Sequence, residues 1–289
     1  MSDVTNLRQA ESKVEIEGIL LSKDLEKITD KNGNGGVRGS IVIKVDDTNS
    51  IRIKVYVGEK KSNGETSKAW DGINTVMNEY KSIADVGEEA ADRIHTNANF
   101  ETYRNQNGQD VTTYSAQFFT RINRALDPKR KFNTEVFVKA KSWEVNSNGE
   151  ETGRLKIRGI APSFKGIDII DMIAPVSSEL DPNFAQSADS VFEVGSTYGI
   201  QGIVVNSRVE KKATAALGVM DAKPEFKNEL IITGCTPAYD DDKAYDAEAI
   251  KKAITEYENA QAAIQANKGT EKAPFNKPSA ATTGRSLNF

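Results

Sequence analysis

The stretch Ile51-Arg52-Ile53-Lys54-Val55-Tyr56-Val57 alternates apolar and polar residues without a fault. Period two predicts a strand whose Ile51, Ile53, Val55 and Val57 face a core while Arg52, Lys54 and Tyr56 face out. Val14, Ile16 and Leu20 begin a similar pattern against Glu15 and Glu17, and Gly39 to Val45 carries another. The clusters Asp30–Gly36 and Asp46–Ser50 are turns built from residues that tolerate unusual backbone angles. The period then lengthens: Trp70, Ile73, Val76, Met77, Tyr80 and Ile83 recur at helical spacing. Asp85, with Glu88 three residues on, reads as the cap of a second short helix. Asn107-Gly108 predicts a hairpin turn between strands near 98–105 and 111–124.

The order then repeats. Thr134–Val145 and Thr152–Ala161 flank the tight-turn signal Asn148-Gly149, Ile167–Ala174 ends at Pro175, and a short helix is predicted near Ser187–Val194. Tyr198–Val209 and Glu229–Gly234 complete the block. Strand-strand-strand-helix-strand-strand, twice over, is the pattern of two OB-type barrels. The fold class expected is therefore mainly β with minor α: two tandem OB-like five-stranded barrels, residues 12–126 and 132–238, each with one inserted helix. A C-terminal helix follows over 239–266, opened by Asp240-Asp241-Asp242 and striped by Ile250, Ile254, Tyr257 and Ile264. Residues 267–289, rich in Lys, Pro, Ser, Thr, Ala and Gly, read as a disordered tail ending in Phe289.

Composition narrows the function. At 289 residues, 38% apolar and 28% charged, the chain can bury a core. It has no apolar run of membrane-spanning length and no secretory start, so a cytoplasmic protein that engages no membrane is expected (host cytoplasm if viral). One cysteine and one histidine leave no internal disulfide and no His/Cys zinc site. Cys235 reads as a buried small hydrophobe and His95 as structural or exposed. Gly33, Gly35 and Gly36 lack the Gly-Lys-Ser/Thr of a phosphate loop, and no carboxylate pair stands out as acid and base. No catalytic residue, metal or cofactor is expected; the chain reads as a non-enzyme.

Charge changes the picture most. The net −4 conceals residues 121–165, which carry 11 Lys and Arg against 5 Asp and Glu. Such a local excess is the footprint expected of a polyanion-binding surface. Alternation places Val136, Val138 and Ala140 on one face of a strand, and Phe137, Lys139, Lys141 and Trp143 on the other. Across the turn Leu155 and Ile157 point inward while Arg154, Lys156 and Arg158 point outward. Paired as a hairpin, these strands present five cations and two aromatics on one surface. Arg52, Lys54 and Tyr56 repeat the motif in the first block, with Phe119 and Arg121 sharing a face of a later strand. Arg121, Arg124, Lys129 and Arg130 run through the junction, where a strand of nucleic acid would pass from barrel to barrel. Cations neutralise phosphates and flat rings stack on any base, which suits single strands better than duplex grooves.

With its basic-aromatic strand faces (Arg52, Lys54, Tyr56; Lys139, Lys141, Trp143; Arg154, Lys156, Arg158), two barrel-like blocks and a tail, the chain resembles the bacteriophage single-stranded DNA-binding proteins built from tandem OB-folds. That resemblance implies a protein that coats exposed single-stranded DNA, without sequence specificity, during phage DNA replication and recombination. RNA is the alternative polymer. It also implies recruitment of replication or recombination proteins through the C-terminal helix or tail, although the terminal acids that usually precede a final Phe are missing here. The alternatives are a β-rich virion structural or assembly protein and a protein-binding regulatory module.

Overall fold

The alternating segments close into two barrels. The computed structural model describes residues 7–29, 33–105, 107–164, 166–209, 212–213, 220–221, 225–240 and 242–270. The first barrel holds β1 (Ser12–Thr29), β2 (Gly35–Lys44), β3 (Ser50–Gly58), α1 (Lys68–Glu79), α2 (Ile83–Val86), β4 (Arg93–Arg104), β5 (Asp110–Ser115) and the short β6 (Thr120–Arg121). The second holds β7 (Lys129–Val145), β8 (Glu151–Ser163), β9 (Gly166–Ala174), α3 (Phe184–Val191), β10 (Thr197–Val209), β11 (Lys212–Ala213), β12 (Met220–Asp221) and β13 (Glu225–Cys235). Helix α4 (Ala247–Thr270) follows.

Strand order in the first barrel is β1-β2-β3-β5-β4 with β4 returning to β1; in the second it is β7-β8-β9-β13-β10 with β10 returning to β7. The third and fifth strands of each barrel run parallel. Helices connect the third strand to the fourth in both. This is the OB connectivity, realised twice. Both opening strands are long and bent, with register slips at Leu20/Ser22 in β1 and Val138/Ala140 in β7. Bulges of this kind turn a strand from one sheet partner to the next. Gly39 (φ +145°) sits where β2 meets the bend of β1, and a Cβ there would lie 1.9 Å from the Asp24 carbonyl oxygen.

Residues 122–128 join the barrels, which also share a strand ladder. β1 pairs with β7 from Ser12↔Thr134 to Glu17↔Lys129, so residues 129–131 are strand rather than junction. Glu17 lies on this seam fully buried. Both its oxygens accept from the Arg124 guanidinium at 2.6 Å, and Asp127 N–H donates to it at 3.0 Å. The Arg124 hydrogen bonds hold its carboxyl below the ordinary 4.5 despite burial. A carboxylate with a lowered folded pKa stabilises above its unfolded value and loses that contribution as pH falls through the folded one. Arg124→Ala strands the buried charge. We expect it to melt below the wild type at about pH 7, with the gap narrowing toward about pH 3, in thermal unfolding across that range.

A smaller apolar cluster lies outside the second barrel. There Tyr245, Ile250 and Ala253 cover Phe137, Ile160, Ile167 and Ile169. The Tyr257 hydroxyl of α4 donates to Asp110 at 3.1 Å, pinning the helix to the first barrel as well. Asp246 caps α4 by accepting from Ala249 N–H at 2.7 Å, so Asp240 and Asp242 lie in the turn before the helix rather than at its start. The apolar stripe of α4 is spent within the chain, and Ile264 alone among its four expected members is exposed. Most of the expected tail, 271–289, lies outside the described residues. Helix α2 is capped by Ser82 with Asp85, one turn earlier than expected, and Cys235 is exposed rather than buried. His95 is half-buried, 3.4 Å from Glu15. No described helix is long and apolar enough to cross a membrane. Among the described residues no cluster of three or more His, Cys, Asp or Glu could hold a metal.

Candidate nucleic-acid interface

The outer face of β2 and β3 is the most open basic-aromatic surface of the first barrel. Their pairing sets Arg38 opposite Tyr56, Ser40 opposite Lys54 and Val42 opposite Arg52, while Ile41, Ile43, Ile51 and Ile53 fill the core behind them. Arg52 donates to the Ser40 hydroxyl at 2.8 Å, and the Lys54 ammonium lies 4.6 Å from the Tyr103 ring centroid. Among the described residues neither Arg52 nor Lys54 has a carboxylate at ion-pair distance. Arg38 pairs with Glu26 at 2.6 Å, both well exposed. Tyr56 is 61% exposed and Phe118 60%. Gln117 donates to the Tyr56 carbonyl at 3.3 Å, bringing the segment with Phe118 beside β3.

Phe119 does not take the outward place expected of it, and its neighbour Phe118 is the exposed ring. β5 ends at Ser115, so strand alternation does not extend to these residues, and it is Phe119 that is buried. The Tyr80 hydroxyl donates to the Phe119 carbonyl at 3.3 Å and the Thr96 hydroxyl to that of Phe118 at 2.7 Å, which fixes the turn. Phe118 has no place in the expected face because it follows the end of β5, and Tyr103 joins it from β4, a strand that carries no basic run.

The second barrel does not present one basic face. The slip at Lys139 inverts the parity of β7, so Ala140 pairs with Arg158 and Ser142 with Lys156 on the outside, while Lys141 and Trp143 pair with Ile157 and Leu155. Trp143 packs against the core from that inner side, and Phe137 is buried beneath α4. Each cation has its carboxylate. Lys139 lies 4.0 Å from Glu258, Lys141 2.8 Å from Asp189, Arg158 2.7 Å from Asp171, and Lys156 3.4 Å from Glu144. Arg154 lies 3.4 Å from Glu144 and 2.8 Å from Glu229. The Asp171 hydrogen bonds raise the Arg158 guanidinium above its already high value.

The junction is neutralised in the same way. Arg121 contacts Asp92 at 2.9 Å and stacks 4.4 Å over the Tyr80 ring. Arg124 clamps Glu17, and Lys129 lies 3.1 Å from Glu15. Arg130 donates to the Val204 carbonyl at 2.8 Å and lies 3.6 Å from Asp46. Most of the positive excess among the described residues of 121–165 is thus answered by carboxylates within the fold. Carboxylates from both flanking blocks fold onto it.

Trp143 follows as a packing residue. Trp143→Ala is expected to cost about 2 kcal/mol of stability, the scale for half-burying a large apolar ring. Affinity per folded molecule should stay unchanged, and urea unfolding beside an oligonucleotide titration measures both.

No curated protein sequence matches the chain. Among solved structures, the wild-type single-stranded DNA-binding protein of Thermus aquaticus is similar at a TM-score of 0.49 and 10% identity, over 81% of this chain and 95% of that one. A deletion mutant of the same protein gives 0.48 and 9% over 81% and 98%, and a replication protein A heterotrimer bound to single-stranded DNA gives 0.24 and 8% over 90% and 72%. The YorF family model matches residues 11–270, nearly the whole described chain, and the protein belongs to the YorF family.

Proposed function

We propose that this protein binds single-stranded DNA, without catalysis, on the outer β2–β3 face of its first barrel. One observation carries the reading: Arg52 and Lys54 stand beside exposed Tyr56, Tyr103 and Phe118 with no carboxylate partner among the described residues, whereas Lys139, Lys141, Arg154, Lys156 and Arg158 of the second barrel are each paired. Strands two and three are where OB barrels bind oligonucleotides. Unpaired cations release counterions from phosphates, and exposed rings stack on bases of any identity. The setting inferred with this activity is replication or recombination in the cytoplasm, on phage DNA by the resemblance drawn from the sequence.

Fluorescence anisotropy with a labelled single strand, the duplex of equal length and the matching RNA tests the reading. The DNA single strand should bind tightest, with affinity falling as salt rises. Equal or tighter binding to duplex at the same salt would sink it, and a preference for RNA would change the polymer but leave the face.

A further inference from the structure

A groove of about 870 Å³ lies between the barrels, within the size range of small-ligand sites. Lys54 and Tyr103 line it from the first barrel, Phe164 at the β8–β9 turn from the second, and Glu256 and Tyr257 from α4. Lys54 belongs to both the groove and the β2–β3 face, so a strand lying on that face has a continuous way in.

The lining is of the wrong sign for phosphate. Asp168 and Glu256 line the groove against the one ammonium of Lys54 among its described residues, with Asp168 also accepting from Thr102 N–H at 2.8 Å. It is well suited to a base. Phe164 is 89% exposed, so its ring is free to stack. Carboxylates accept from exocyclic amino groups, as Asp and Glu do from the amino group of cytosine. Adenine and guanine carry such groups as well. Thymine offers a single edge donor, its ring N3–H, between two carbonyl oxygens that a carboxylate repels.

We propose that this groove receives one base of the bound strand, stacked on Phe164, and prefers an amino-bearing base to thymine. The inference rests on the single-strand reading and adds to it a base preference that the face alone would not give.

Labelled oligo-dC and oligo-dT of equal length, titrated against the full chain, test it; both are pyrimidines, so stacking differs little. Oligo-dC should bind about fivefold tighter. The shape-conserving double variant Asp168→Asn/Glu256→Gln should bring that ratio to about one, while Phe164→Ala should weaken both oligomers by about fivefold or more. Equal affinities in the wild type, or variants that leave both the ratio and the affinities unchanged, would overturn the groove assignment. The β2–β3 face would still stand if Arg52→Glu/Lys54→Glu weakened binding by about 25-fold at 0.1 M salt in that case. Failure of the wild type to bind either oligomer would remove both readings.

Discussion

Reversing charge at Arg52 and Lys54 together should weaken binding to any single strand by about 25-fold at 0.1 M salt. Each phosphate contact contributes about 0.7 to the slope of log affinity against log salt, so two contacts flatten that slope by about 1.4 and remove about 1.4 log units one decade below 1 M. Both side chains are exposed on β3, so the substitutions leave the core untouched. Lys156→Ala with Arg158→Ala is the matched control, since those cations are already answered by Glu144 and Asp171. Their removal should leave the slope within about 0.3 of the wild type. Titrations at four salt concentrations measure both pairs, and equal effects would reduce the footprint to diffuse charge.

Phe132→Ala should cost about 3–5 kcal/mol, the range for emptying a fully buried aromatic site. Phe132 is fully buried on β7, opposite Val14 of β1 on one side and Gly202 of β10 on the other. Its ring meets Phe100 of the first barrel edge-on at 6.0 Å. A Cβ at Gly202 would lie 2.6 Å from this ring, so the glycine is the space the ring occupies. Because the residue serves both barrels, the loss should appear as one transition shifted to lower urea, with tryptophan fluorescence and far-ultraviolet circular dichroism coincident. Two separated transitions would show that the barrels unfold independently.

Much of the architecture was legible because it rests on short-range patterns. Ile51–Val57 alternates, Trp70 to Tyr80 recurs at helical spacing, and Asn107-Gly108 and Asn148-Gly149 mark hairpins whose glycines take φ of 75° and 81°. The exposed face at Arg52, Lys54 and Tyr56 followed from the same alternation. The second face did not, because a slip at Lys139 reverses the β7 side chains from Ala140 to Trp143, and a bulge leaves no mark in composition. Pairing was equally hidden. Glu17 lies 107 residues from Arg124, and Glu229 lies 75 residues beyond the Arg154 it meets. Charge counted in blocks along the sequence could not register such partners, nor that α4 would cover Phe137 and Ile160.

The ladder between β1 and β7 sets an order of events during synthesis. Residues Ser12–Glu17 are made first, yet one of their two sides is hydrogen-bonded only by Lys129–Thr134. From the emergence of β4 until that of β7, the nascent first barrel therefore carries an open strand edge rich in alternating apolar residues. Such an edge accepts any complementary strand, including β7 of a neighbouring chain. Two ribosomes on one message thus hold the ingredients of an exchanged dimer, and slow passage through residues 105–128 lengthens the interval in which it can form.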